Sequence, residues 1–311
     1  MNFHIPVLAN EAIKGLNIKP NGLYIDGTFG RGGHTKLILS QLNSKGHLYA
    51  IDRDPQAIEM ATSIIDSRFT IIQGQFSRLA NYMNDNKLIG RVDGILLDLG
   101  ISSNQIDSAE RGFSFMHDGP LDMRMDPTNG FSAAEWLLNC SEHEIYWVLK
   151  NFGEERFARR IARSIIYRSK SKPITRTKEL VDIIYATLPR RIKSNKHLAT
   201  RCFQAIRIFI NNELKELEQV LQSALVVLRK SGRLSVISFH SLEDRMVKRF
   251  INKYSSATFI PHDIPLTKAE LNSRSYKLLK PIARIKPTKR EVNHNRRARS
   301  AILRIAEKIV D

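Results

Sequence analysis

Apolar runs punctuated by polar or glycine turns divide the chain into three parts: alternating strands and helices, a long helical stretch, and a shorter return to strands. Leu23-Tyr-Ile is a run of strand-forming residues closed by Asp26, and Thr35 to Leu42 follows with helical character. His47 to Asp52, Phe69 to Gln73 and Val92 to Asp98 repeat that strand signature, each ending in a polar residue or glycine. Asp54 and Pro55 suit the cap and first turn of a helix predicted to carry Ile58, Ala61 and Ile65 on one face. Residues 1–105 thus read as β-α-β-α-β-α-β, the order of a parallel sheet with helices on both faces.

The pattern breaks at Ser102 to Gly130, which holds Gly112, Gly119, Pro120 and Pro127. Such a long connection in a compact domain is expected to be functional. Residues 131–210 are predicted to be helical. Ser141 to Glu144 reads as a capping box, and Thr177 as the cap of a helix over Leu180 to Leu188 that Pro189 stops. Glu155 to Tyr167 puts Phe157, Ile161 and Ile165 on one face and Arg156, Arg159, Arg160 and Arg163 largely away from it. A helical pattern over Ala199 to Arg229 is expected to end at Gly232. Arg233 to Phe239 reads as a fifth strand, Leu242 to Asn252 as a helix, 253–290 as aperiodic, and Ala301 to Ile305 as a last strand. The fold class is therefore α/β, a Rossmann-like, mostly parallel sheet with an inserted all-helical domain. The sheet domain is expected over 1–105 and 211–311, and the loop and helical insert over 106–210.

The candidate chemistry lies in the first strand–helix turn. Gly27, Gly30, Gly32 and Gly33 let the backbone turn sharply and approach a ligand. Asp52 follows about 20 residues later, where an acid can hold both ribose hydroxyls. Two ligands suit this pattern, a dinucleotide and S-adenosyl-L-methionine. The glycines do not follow G-x-G-x-x-G, and Asp26 and Asp98 add carboxylates beside the turn. Carboxylates oppose a pyrophosphate and favour a sulfonium, so the pattern favours S-adenosylmethionine.

Composition adds a partner. The net charge is +18 and the pI about 10.0, which points to a polyanion, nucleic acid first. The insert supplies Arg156, Arg159, Arg160, Arg163, Arg190, Arg191, Lys193 and Lys196, and the tail Arg296, Arg297 and Arg299, as candidate RNA-binding cations. Trp136, Trp147 and Tyr146 could stack on bases, although the spacing of Trp147 suits the insert core better. No apolar run approaches the roughly 20 residues that span a bilayer, and the N-terminus lacks a signal-peptide pattern. Cys140 and Cys202 form no metal-ligand pair, so no metal and a cytoplasmic location are expected. Asp118, Asp122 and Asp126 could suggest a magnesium site, but a loop clamped by contacts such as Asp122 with Arg124 or Arg111 is the preferred reading. His240 either lines an acceptor pocket or caps a helix.

Six stretches then resemble one family: Asp26 to His34, Ala50 to Pro55, Leu97 to Ser103, Glu110 to Phe115, Gly119 to Asp126 and Ser238 to Arg245. In order and over nearly the whole chain they are similar to the bacterial 16S ribosomal RNA cytosine-N4 methyltransferases. The stretches at 110–126 and 238–245 carry most of the specificity. The resemblance implies a class I methyltransferase fold and methylation of a cytidine amine in the decoding region of 16S rRNA, within the small ribosomal subunit. It implies cofactor contacts at Gly32, Gly33, His34, Asp52, Phe76, Asp98 and Gln105. Asp98, at the end of the fourth strand, is the candidate catalytic residue. Two prolines expected from the family are replaced, by Leu198 and Arg296. A DNA amino-methyltransferase is disfavoured, because no Pro-Pro-Tyr-like motif follows the fourth strand. A non-catalytic RNA-binding assembly factor is opposed by the intact acids Asp26, Asp52 and Asp98. Oligomeric state stays open, a homodimer included.

Overall fold

The computed structural model describes residues 6–189, 199–256 and 277–310. They divide into two compact units, Met1–Gly100 with Leu214–Asp311, and Ile101–Glu213. The basic residues Arg190, Arg191, Lys193 and Lys196 lie outside the described residues.

In the first unit β1 (Leu23–Asp26), β2 (His47–Asp52), β3 (Phe69–Gln73) and β4 (Val92–Asp98) alternate with the helices α1 (Ala9–Leu16), α2 (Gly33–Leu39), α3 (Pro55–Ala61) and α4 (Leu79–Asp85). After the second unit the chain returns with β5 (Leu228–Ser238), β6 (Leu279–Ile285) and β7 (Ile302–Lys308). The sheet order is β3-β2-β1-β4-β5-β7-β6. β7 pairs antiparallel with both of its neighbours, while β1 to β5 pair parallel. The central strands carry nearly continuous apolar runs because both faces of a parallel sheet are covered. Ile95, Leu96 and Leu97 of β4 are fully buried.

Chain order reverses between β1 and β4. In open α/β sheets that switch point opens a crevice beyond the carboxyl ends of the strands. Asp26, Asp52 and Asp98 are the last residues of β1, β2 and β4.

The second unit is helical: α5 (Ser103–Asp107), α6 (Ala133–Asn139), α7 (Glu142–Gly153), α8 (Ala158–Ser169), α9 (Thr177–Thr187) and α10 (Thr200–Ile210). Ile145, Val148, Ile161, Ile165, Leu180, Ile184 and Phe203 form its core. The loop after α5 is built into that core through Phe113, Leu121, Met123 and Met125. Asn211 holds it, accepting from the Met125 amide at 2.8 Å and donating to the Met123 carbonyl at 2.7 Å. The Arg111 guanidinium donates to the carbonyls of Arg124 and Met125 at 3.1 and 2.8 Å. Asp122 takes both arms of Arg124 at 2.8 and 2.7 Å, so the loop is clamped by its own Asp–Arg contact.

Several local expectations are corrected. Helix α3 ends at Ala61 and leaves Ile65 98% exposed, because the Thr62 and Ser63 hydroxyls take the carbonyls of Glu59 and Met60. Ser141 caps α7, but Glu144 does not complete a box, since its carboxylate accepts the Trp136 indole N–H at 2.7 Å. Arg176, not Thr177, is the cap of α9. The Thr177 hydroxyl instead accepts from Gly119 and donates to the His117 carbonyl. The helix expected over 199–229 breaks at Asn211 and Asn212, where Asn212 takes a φ of 51° and Asn211 turns to the loop. It resumes as α11 (Glu213–Val227), and Gly232 does not stop it but sits inside β5. A Cβ there would lie 2.9 Å from the Val92 carbonyl, beside a register shift between β4 and β5. The stretch read as aperiodic contains β6, whose Pro281 is tolerated at the sheet edge.

Candidate active site

The β1–α2 turn is shaped by its glycines. Gly30 and Gly32 have φ values of 55° and 70°, a region that L side chains rarely adopt. A Cβ on Gly32 would also meet the Phe29 ring at 2.9 Å. The Phe29 amide donates to the Ile51 carbonyl at 3.0 Å, which ties the turn to β2. Gly30 donates to the Asp52 carboxylate at 2.8 Å, so the backbone that approaches a ligand also orients the acid beside it.

Two threonines hold the other acids. Thr35 donates its hydroxyl to Asp26 Oδ2 at 2.7 Å, and the Thr28 amide donates to Asp26 Oδ1 at 3.2 Å. The Thr28 hydroxyl accepts from the Asp98 amide at 2.7 Å and so joins the ends of β1 and β4. Neither threonine was singled out in the sequence. The Asp26-x-Thr28 spacing, in which a side chain bonds its own backbone two residues on, was the available signal.

The acids and His34 shape one another's charge. Burial pushes the Asp26 carboxyl above its ordinary range, against His34, Thr35 and Thr28, which favour the anion. Burial pushes Asp52 up to about 6, partly opposed by the amides of Asp54 and Gly30. Burial of the His34 ring disfavours its charge, yet Asp98, with a further contribution from Asp26, outweighs this and raises its pKa. His34 Nε2 stands 3.4 Å from Asp98 Oδ2. This is an ion-pair separation; neither ring nitrogen has a hydrogen-bond partner among the described residues, and the buried Asp98 Oδ1 also lacks one. Such groups are costly unless a ligand or solvent satisfies them, and sites of this kind concentrate at functional centres.

These residues fit the expected cofactor. Asp52 stands at the strand end where a ribose would be held, and Asp98 offers an unsatisfied carboxylate oxygen. Asp26, Asp52 and Asp98 together favour a zwitterion that carries an extra positive charge. Gly32 caps α2, and Gly33 and His34 open it. Phe76 begins a 3-10 turn after β3, half-buried against the core of this unit. Gln105 belongs to the second unit, where its amide oxygen accepts from Ser102 in the capping box of α5.

The remaining candidates fall elsewhere. His240 caps α12 (Ser241–Ser255), and Glu243 accepts from the amides of Phe239 and His240, so the capping turn is what the structure displays there. Arg296, Arg297 and Arg299 lie on a 3-10 segment before β7. Arg159, Arg160 and Arg163 are exposed on α8, and Arg156 lies just before it, over the Phe157 ring. The tryptophans reverse the expectation. Trp136, offered as a stacking group, is buried against Phe209, whereas Trp147, expected in the core, is 46% exposed. Asp118 pairs with Arg176 at 2.7 Å, and Asp126 binds Thr128 and Asn129 of its own turn.

Residues 1–309 match the profile of a family described as the MraW methylase family. Solved structures with a similar chain path include a Clostridium thermocellum protein provisionally described as an rRNA-methylase. It is 13% identical, with 99% of this chain and 100% of that one covered and a TM-score of 0.45. An rRNA methylase from Streptococcus thermophilus is 10% identical over 97% of this chain and 93% of that one, with a TM-score of 0.38. A SAM-dependent O-methyltransferase from Thermotoga maritima is 12% identical over 100% of this chain and 69% of that one, with a TM-score of 0.41.

Proposed function

The chain belongs to the MraW methylase family, and from that premise we propose that it methylates the exocyclic N4 amine of a cytidine in 16S ribosomal RNA. It is a methyltransferase whose cofactor is S-adenosylmethionine. The observation that carries the proposal is the unsatisfied Asp98 Oδ1 at the β1/β4 switch point, with Asp26 on the neighbouring strand and Asp52 one strand further. The RNA class is supported by the +18 net charge and the arginine face of α8. The cytidine amine and the 16S target rest on the stretches at 110–126 and 238–245.

When bound, the cofactor supplies an electrophilic methyl group on a sulfonium. The amine of cytosine is a poor nucleophile, because its lone pair is delocalised into the ring. Asp98 Oδ1 is the acceptor proposed to take an amine N–H and favour the pyramidal, attacking nitrogen. His34 Nε2 stands 3.4 Å from Asp98 Oδ2, and that carboxylate raises the pKa of the buried ring, so the cationic imidazole is the form that pairs with Asp98. Asp52 holds hydroxyls, and the glycine turn brings backbone within reach. Positioning at near-attack distance supplies much of the rate.

The test is transfer of labelled methyl to free 16S RNA and to assembled 30S particles, followed by mapping of the modified base. Label on the N4 of one cytidine is the expected result. Label on another atom or on DNA alone, or no label while the cofactor still binds, rejects the proposal.

A further inference from the structure

Helix α8 packs Ala158, Ile161, Ala162 and Ile165 into the core of the second unit and turns a second face outward. On that face two rows run along the helix at i, i+4 spacing, Arg159–Arg163–Tyr167 and Arg160–Ser164–Arg168. Ile183, Ala186 and Thr187 of α9 form the facing wall. Together they enclose a groove of about 510 Å³, lined among the described residues by four arginines and a tyrosine and by no carboxylate. A volume in this range suits a small organic moiety.

We propose that this groove is a binding site for a single-stranded RNA segment, with phosphates on the arginines and a base stacked on Tyr167. The inference rests on the RNA methyltransferase reading above and names a surface of the second unit that holds the substrate strand.

Three features carry it. First, nine Lys and Arg residues stand from Arg156 to Lys178 without one Asp or Glu, so this stretch of the chain carries charge of one sign. Among the described residues only Arg163 of the four groove arginines reaches a carboxylate, Glu142 at 3.8 Å, and that contact is exposed. Second, Arg160 and Arg168 are two i→i+4 steps apart, about 12 Å along the helix. That spans several nucleotides at roughly 3.4 Å of rise per nucleotide along a strand. Third, Tyr167 is 80% exposed between Arg163 and Arg168. An aromatic ring left in water among cations has the form of a stacking platform for an unpaired base. A duplex buries the faces of its bases and could use only the arginines.

The experiment measures binding of the full chain to a labelled, unstructured RNA oligonucleotide and to a duplex of the same length, across a salt series. The variants are Tyr167→Ala, Tyr167→Phe and the double Arg160→Gln/Arg168→Gln. All three positions are on the exposed face, and the cofactor-induced thermal shift of each variant reports that the sheet unit is intact. Tyr167→Ala is expected to weaken single-strand binding about 10-fold, with Tyr167→Phe near the parent and duplex binding unchanged. The double variant is expected to lower the salt slope by about 1.4, at about 0.7 per phosphate contact on single strands. Parent-like single-strand affinity and slope in Tyr167→Ala and the double variant would overturn the groove assignment. Equal losses on duplex and single strand in Tyr167→Ala would overturn the single-strand part. In either case RNA methylation by the parent would keep the proposed function intact, whereas a parent that binds cofactor but neither binds nor methylates RNA would reject that function itself.

Discussion

The two units solve opposite electrostatic problems. The sheet unit draws acids inward: Asp26 is fully buried, burial pushes Asp52 up to about 6, and the half-buried Asp98 stands beside His34. The helical unit exposes bases: Arg159, Arg160, Arg163 and Arg168 sit in water on α8. Buried charges have altered protonation and direction, and suit binding a small ligand in one orientation. Exposed cations keep their charge and mobility, and suit capture of a polyanion at many points. The contrast teaches that net charge alone is a poor guide to this protein. A chain of +18 places carboxylates at the ends of three strands around its switch point.

The contrast can be broken in order of expected effect. The largest belongs to Asp98→Asn, which removes the charge opposite His34 and leaves the fold of β4 in place. Turnover at saturating cofactor is expected to fall about 10²–10³-fold, with cofactor affinity changed much less. Single-turnover methyl transfer with separate cofactor titration checks it, and retained turnover removes Asp98 from the chemistry.

Next is Asn211→Ala, which leaves the Met125 amide and Met123 carbonyl without their partner. Two buried backbone groups lost in this way are expected to cost roughly 2–4 kcal/mol. Urea unfolding should report the loss. The raised Asp52 should persist in the variant, because Asp52 belongs to the other unit.

A smaller effect is expected from pH. In the proposed reading the carboxylate form of Asp52 accepts the ribose hydroxyls, and burial pushes its pKa up to about 6. Cofactor affinity is therefore expected to hold above pH 6 and to fall as pH drops below it, by up to about tenfold per unit, provided the carboxylate form alone binds. The same raised value means that ionising Asp52 disfavours the cofactor-free fold, so its contribution to stability is lost as pH rises through 6, not as pH falls. Calorimetric titration between pH 5 and 8 checks the binding limb, and Asp52→Asn should flatten it. The smallest effect is expected from Arg163→Gln. Its exposed pair with Glu142 should contribute about 0.5 kcal/mol or less to stability, checked by thermal unfolding, so any RNA loss is not a folding loss.

Most sheet elements were legible in the sequence because each strand is a short apolar run closed by a polar residue or glycine, a signal within a few residues. Helix ends were less so. Whether Thr62 and Ser63 end α3, or Asn211 leaves its helix to hold a loop 86 residues away, depends on side-chain partners that periodicity does not report. Strand β6 was hidden because an edge strand lacks strong alternation and carries a proline. At the site, Asp26, Asp52 and Asp98 could be named in advance; Thr28 left only the Asp26-x-Thr28 spacing as a signal, and Thr35 left none, since it acts through a bond to Asp26 nine residues away.

By itself the chain determined the order of β1 to β5, the acids that end β1, β2 and β4 and the glycines of the first turn, because these follow from local backbone preference and short spacing. Only the tertiary structure decided how far those acids are desolvated, that His34 stands 3.4 Å from Asp98, that Trp136 is buried and Trp147 is not, and that two helices leave an arginine groove with an exposed tyrosine. Burial, and the charge states that follow from it, are properties of what packs around a residue, and the packing partners come from distant parts of the chain.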